Sequence, residues 1–160
     1  MARFEFEGID ALVGDIEKLD KQSKPIVGRT VYAGAKVVAD ALRKATEELP
    51  VDDTNKRVEM RKGIRTKQKV GLIKSMGISK MKEDNGVFNI KVGYDGYNEI
   101  VTPRWANGQP NVMVARSIEN GTSFLPATHF IQKTLKAVKK ETEKAMSEAF
   151  DEAIKQTKGD

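Results

Sequence analysis

Residues 114–131 read V-A-R-S-I-E-N-G-T-S-F-L-P-A-T-H-F-I. Val114, Ala115 and Ile118 belong to a short apolar helix, which Asn111 is placed to cap and Gly121 to close. A tight polar corner follows, and Pro126-Ala127 then launches the longest helical pattern of the C-terminal half. Phe130, Ile131, Leu135, Val138, Thr142, Ala145, Ala149 and Ala153 recur at helical spacing, with Met146, Phe150 and Ile154 beside them and lysines and glutamates opposite. A corner of this kind sets the angle between two elements. Glu119 is suited to accept hydrogen bonds from backbone N–H groups or an arginine, Gly121 to take a positive φ, and Thr122 to bond within the turn. The corner is either a well-made local structure or a contact with another subunit.

Upstream, the clearest periodicity in the chain runs from Pro25 to Leu49. Val27, Val31, Ala35, Val38, Leu42, Ala45 and Leu49 are spaced 4, 4, 3, 4, 3 and 4 apart. They form one face of a helix roughly 35 Å long, which Pro50 ends by disfavouring the helical region at the residue before it. Ala33, Gly34, Ala39 and Ala41 keep its remaining girth slim enough for another helix to approach closely. Before it, alternation over residues 3–7 predicts a short strand, and Ile9, Leu12, Val13, Ile16 and Leu19 predict a first amphipathic helix.

Between these helical regions the chain changes character. Residues 56–69 hold seven basic side chains (Lys56, Arg57, Arg61, Lys62, Arg65, Lys67 and Lys69) against one acid, Glu59. Apolar residues are sparse there, which predicts a long mobile basic loop over 51–71. Its functional readings are contact with an acidic protein surface or with nucleic-acid phosphates; its bland reading is a solvated loop. Stretches 78–82 and 87–92 then predict a hairpin about Glu83-Asp84-Asn85-Gly86, the Asn-Gly pair accepting positive φ at low cost. Residues 93–110, rich in glycine, asparagine and proline, predict a second long loop carrying Trp105, the chain's single tryptophan. That tryptophan either anchors a partner or packs its loop onto the body.

With 160 residues and a formal charge of +5, the chain is expected to form a single domain, 1–160, that buries roughly 70% of its unfolded surface. It has no cysteine and one histidine, which excludes disulfides, thiolate metal sites and multi-histidine centres and fits synthesis in a reducing cytoplasm. No stretch approaches the ~20 apolar residues of a membrane span. His129 lacks a nucleophile or paired carboxylate at motif spacing. Asp52-Asp53 lacks a calcium-loop pattern and suits a capping or loop role, and Gly93-Tyr94-Asp95-Gly96 lacks the spacing of a phosphate loop. No catalytic residue, cofactor or metal is therefore expected. The expected class is α+β, with two long helices on a small, mainly antiparallel sheet and two long loops.

Several motifs, in order, resemble those of phage tail-completion and head-tail joining proteins, the gene-product-ten-like morphogenesis family. The opening Phe4-Glu5-Phe6-Glu7-Gly8-Ile9 is similar to an F-x-F-x-G-I/L start, and residues 33–51 to an alanine-rich helix ending in L-P-V. Gly71-Leu72-Ile73-Lys74-Ser75-Met76 resembles a G-L-x-x-S-I segment, Glu119-Asn120-Gly121-Thr122 an E-x-G-T corner, and Pro126-Ala127-Thr128-His129-Phe130 the P-A-x-P-F entry to a final helix. Asn120 stands where an aromatic is common, and His129 where a proline is common; the second change frees a backbone N–H.

The resemblance implies a tail-terminator-like fold and a structural virion protein that forms a ring, commonly hexameric, at the head-tail junction. Its implied partners are further copies of itself, the tail-tube protein and the head-closure or connector protein, with DNA in the lumen as a non-specific contact. It implies no membrane. The interface residues would be Lys56, Arg57, Arg61, Lys62, Arg65, Lys67, Trp105, Glu119, Gly121 and Thr122. The alternative is a small basic DNA-binding protein using residues 56–69.

Overall fold

A computed structural model describes residues 23–54 and 60–158. The predicted strand at 3–7, the predicted helix at 9–19, and Lys56 and Arg57 lie outside them. Among the described residues the elements are α1 (Ser23–Glu47), α2 (Thr66–Ser75), β1 (Met76–Ile78), β2 (Lys82–Asp84), β3 (Val87–Asn89), β4 (Val92–Tyr94), α3 (Asn111–Asn120) and α4 (Phe130–Lys158). The fold is α+β.

Helices α1 and α4 run antiparallel and make the largest contact between elements. Arg29 near the start of α1 donates to Gln156 near the end of α4 at 2.5 Å. At mid-length α4 presses onto Gly34, where a Cβ would lie 2.7 Å from Met146 Cγ and Sδ and 3.2 Å from Thr142 Cγ2. The small residue expected to admit a second helix does admit one. The buried residues of α4 are Phe130, Thr142, Met146 and Ala153, while Ile131, Leu135 and Val138 are only half-buried. The two long helices share the core with the other elements. Val38 and Leu42 of α1 join Leu72 of α2, Met76, Val92 and Tyr94 of the strands, Val114 and Ile118 of α3, and Phe130.

The four strands are two rungs of one hairpin. Met76–Ile78 pairs antiparallel with Val92–Tyr94, and Lys82–Asp84 with Val87–Asn89. Asn85 and Gly86 turn the chain with φ of 51° and 80°, the positive pair that a two-residue hairpin turn requires. Between the rungs, residues 79–81 face only 90–91, so the first side carries one extra residue. That is a bulge. Ser79 sits in it: its N–H donates to the Lys91 carbonyl at 2.8 Å and its hydroxyl accepts the Lys91 N–H at 2.9 Å. The Ser79 carbonyl is thereby released to Tyr32 Oη, 3.4 Å away on α1. The ribbon follows α1 along its length, from Thr46 beside Tyr94 to Lys24, whose Nζ is 2.8 Å from Glu83.

The basic segment is shorter as a loop than expected, because residues 66–75 are helical and Ile64 is buried in the core. Little in the local sequence signals this, since Ile64 is a single apolar residue whose pairing with Val51 is remote in sequence. Asp53 accepts the Thr66 N–H at 2.8 Å and its hydroxyl at 2.5 Å, so the start of α2 is capped from outside the helix. Asp52 accepts the Thr54 hydroxyl and the Thr54 and Lys62 N–H groups. The hydroxyl bonds from Thr54 and Thr66 are the main reason that Asp52 and Asp53 titrate below the usual carboxylate range. These contacts are complete above that range and are lost as the pH falls through it.

Two buried polar groups offer direct tests. Thr142 Oγ1 is buried in the seam between α1 and α4 with no hydrogen-bond partner. Thr142→Val keeps the shape and removes that unpaired hydroxyl, so urea denaturation is expected to show a gain of about 1 kcal/mol. Thr46 donates its hydroxyl to the Leu42 carbonyl at 2.7 Å, which leaves it the acceptor for Tyr94 Oη at 2.6 Å. Burial pushes the Tyr94 phenol up to about 12. A folded pKa raised above the unfolded 10 means that this stability is complete below pH 10 and is lost as the pH rises toward 12. The loss is on the order of 2–3 kcal/mol. Denaturation between about pH 9 and pH 12 should show a shallower alkaline decline in Tyr94→Phe than in the wild type.

Candidate interaction groove

The corner at 119–130 is closed by a dense set of bonds. Helix α3 ends at Gly121, whose φ is +75°. A Cβ there would lie 2.7 Å from the Ala127 nitrogen and 3.0 Å from the Leu125 carbonyl oxygen. Thr122 and Leu125 exchange backbone bonds at 2.7 and 3.4 Å, and Thr128 donates both its N–H and its hydroxyl to the Ile118 carbonyl at 3.0 Å. The His129 carbonyl accepts the first intrahelical bond of α4, from Lys133, which makes His129 the residue that caps the helix. Its own side chain does not do that work. Glu119 supplies the carboxylate instead, accepting the Ile131 N–H at 2.8 Å and the Gln132 N–H at 3.2 Å. One helix thus caps the next, with a negative charge at the positive end of the helix dipole.

The backbone at His129 is one that a proline there would not fit. It has φ +52° and donates its N–H to the Glu119 carbonyl at 3.2 Å. Proline permits neither. By contrast, Asn111 does not cap α3 as expected. Pro110 is the flanking residue, and Asn111 is buried with its N–H on the Gly96 carbonyl and its Nδ2 on the Asp95 carbonyl, both at 2.9 Å.

Above the corner, three segments distant in sequence enclose a groove of about 470 Å³. The basic segment brings Arg61 and Arg65, the second loop brings Arg104 and Trp105, and α3 with its corner brings Met113, Thr122 and Phe124. The floor is apolar: Ile64, Val114, Ile118 and Leu125 are all buried. The rim is apolar and cationic. Phe124 and Met113 are 53% and 45% exposed, Trp105 is half-buried, and the Arg104 guanidinium lies 5.5 Å from the Trp105 ring centre, within cation–π range. Among the described residues, no aspartate or glutamate lines the groove. The Arg61 N–H donates to the Phe124 carbonyl at 2.7 Å, tying the basic segment to the corner.

No protein-family model, curated protein or solved structure matches the chain. The groove therefore stands on its geometry. Of the residues singled out in the sequence, Arg61, Arg65, Trp105 and Thr122 meet in it. Glu119 and Gly121 do not line it and hold the corner instead. Lys62 is exposed outside the groove, and Lys67 lines a separate cavity of about 460 Å³ between α2 and residues 95–99. The loop at 93–110 loses its first two residues to β4 and is otherwise irregular, drawn together by bonds between Asn98 and Gln109 and between Thr102 and Trp105. Sequence reasoning missed Arg104, Met113 and Phe124. Met113 and Phe124 carried a faint signal: each is a large apolar residue off the buried face of its segment.

The corner is open to mutation. Gly121→Val combines a positive φ with a clash against backbone, and is expected to cost about 2–4 kcal/mol in chemical denaturation. Glu119→Gln should cost about 1–2 kcal/mol, since the single amide oxygen keeps only one of the two N–H bonds and the charge is lost. His129→Pro should destabilise by more than Glu119→Gln, since it removes the N–H bonded to the Glu119 carbonyl and forbids the positive φ.

Proposed function

We propose that the chain is a non-enzymatic structural protein of phage tail completion, a tail terminator acting at the head-tail junction of the virion after synthesis in the host cytoplasm. In this reading it forms a homo-oligomeric ring, hexameric as is common in the family it resembles, with the tail-tube protein on one side and the head-closure or connector protein on the other. The observation that carries it is the corner at 119–130. The most distinctive motifs of the resemblance fall on a segment in which α3 caps α4, and that segment also forms one wall of an exposed apolar and cationic groove. Ring subunits need fixed angles between elements, because head-to-tail contacts close only at a set rotation. A corner held by hydrogen bonds from both sides suits that demand. No helix among the described residues is long and apolar enough to cross a membrane.

The DNA-binding reading has less support. Lys69 Nζ is directed to the Leu49 carbonyl at 2.9 Å, and Lys67 lines a different cavity from Arg61 and Arg65. The described basic residues thus do not present the single face that tracks a phosphate backbone.

Light scattering of the purified chain, alone and with tail-tube protein, tests the proposal. A mass that is a multiple of the 17.8 kDa chain and retention on tail tubes are expected. A strict monomer that binds neither tail nor connector components would overturn it. Affinity for duplex DNA that falls steeply with salt, in a chain that joins no tails, would favour the rival.

A further inference from the structure

We infer that the groove receives the hairpin tip of a neighbouring copy, so that one chain's residues 83–87 seat between the arginines and apolar floor of the next. This rests on the ring reading and names the contact that builds the ring. The tip carries the complementary chemistry. Glu83 and Asp84 are exposed at the end of β2, and Val87, the first residue of β3, is 55% exposed with its side chain in solvent. A small apolar side chain beside two carboxylates faces, in the groove, buried Ile118 and Leu125 flanked by Arg61, Arg65 and Arg104. Asp84 has no ion pair among the described residues. Glu83 has one, with Lys24 at 2.8 Å, between side chains 42% and 67% exposed; such a pair is weak and readily exchanged for another cation.

Placement supports the same conclusion. The tip lies against the first turn of α1, through Lys24 and Glu83, whereas the groove lies at the other end, where Leu49 and Ile64 share the core with Ile118 and Leu125. The rise from residue 24 to 46 of α1 is about 33 Å, so one chain cannot seat its own tip. Donor and acceptor patches at opposite ends of one body make a heterologous, head-to-tail contact, which closes into a ring when the rotation per copy permits. The bulge at 79–81 aids presentation: it sharpens the ribbon's twist beyond the paired rung at its base.

Charge reversal in two sets tests the contact. Glu83→Lys with Asp84→Lys inverts the tip, and Arg61→Glu with Arg65→Glu inverts the groove; circular dichroism confirms that each folds. Each variant alone should self-associate roughly tenfold or more weakly than the wild type. Mixed one to one, they should assemble again, since each tip then finds an opposite charge on the other variant. The cysteine-free chain also allows a second measurement: Asp84→Cys with Met113→Cys should give intermolecular disulfide ladders, and neither substitution alone should extend beyond a dimer. Wild-type assembly by either reversed variant, a mixture that stays monomeric, or an absence of ladders would overturn the inference. If the reversed variants still formed rings, this contact would fall and the ring reading would stand. If the wild type never exceeded one chain mass, with or without tail-tube protein, both would fall.

Discussion

The seam between α1 and α4 is the constraint on which the other placements depend. Because Gly34 has no side chain, Met146 and Thr142 come close enough to fill the space a Cβ would occupy. Close approach at mid-length lets two long antiparallel helices stay together despite an α4 stripe that is only half-buried at Ile131, Leu135 and Val138. With that distance set, α1 presents buried Val38 and Leu42 to the core that it shares with the base of the hairpin and with α2. A larger residue at 34 would need Met146, the flexible partner, to move aside, and the remaining contacts of α4 would shift with it.

From this seam the architecture is relayed by polar contacts made between elements. Asp53 caps α2 from the preceding loop, Glu119 caps α4 from the end of α3, and Ser79 lends a hydroxyl where a strand carbonyl has turned toward α1. In each case a backbone group that a helix end or a bulge would leave open is satisfied by a side chain from the adjoining segment. Element boundaries here are set by neighbours, and this ties the basic segment, the corner and the second loop into one groove wall after another.

That pattern explains what was legible in the sequence. The helices at 25–49 and 130–153, the Asn85-Gly86 turn and the Gly121 corner all rest on local rules: period, proline, positive φ and glycine. All four appear, the first helix within two residues at each end, but α4 starts at Phe130 rather than at Pro126-Ala127, and Glu83 and Asp84 pair in β2, which narrows the expected four-residue turn to Asn85-Gly86. The misses are non-local. Thr66–Ser75 reads weakly as a helix because its cap, Asp53, is thirteen residues upstream. Asn111 has the right residue type for a cap, yet a buried contact with Asp95 and Gly96 outweighs it. The groove was half visible, in Arg61, Arg65, Trp105 and Thr122, because charge and aromatic content show in sequence. Its floor, and the separation of Lys67 from the other cations, follow from tertiary packing alone.

The hairpin bulge has a further consequence, for aggregation. A two-stranded ribbon has two open edges, and long flat edges invite unlimited pairing with other chains. Here each rung is three residues long, the rungs are out of step by one, and Lys82, Glu83 and Asp84 line the exposed outer strand. An incoming strand would meet a register break after a single rung and charged side chains beyond it. The ribbon can therefore keep an open edge along α1 without recruiting strands indiscriminately, which leaves its side chains, not its backbone, as the part that other molecules can read.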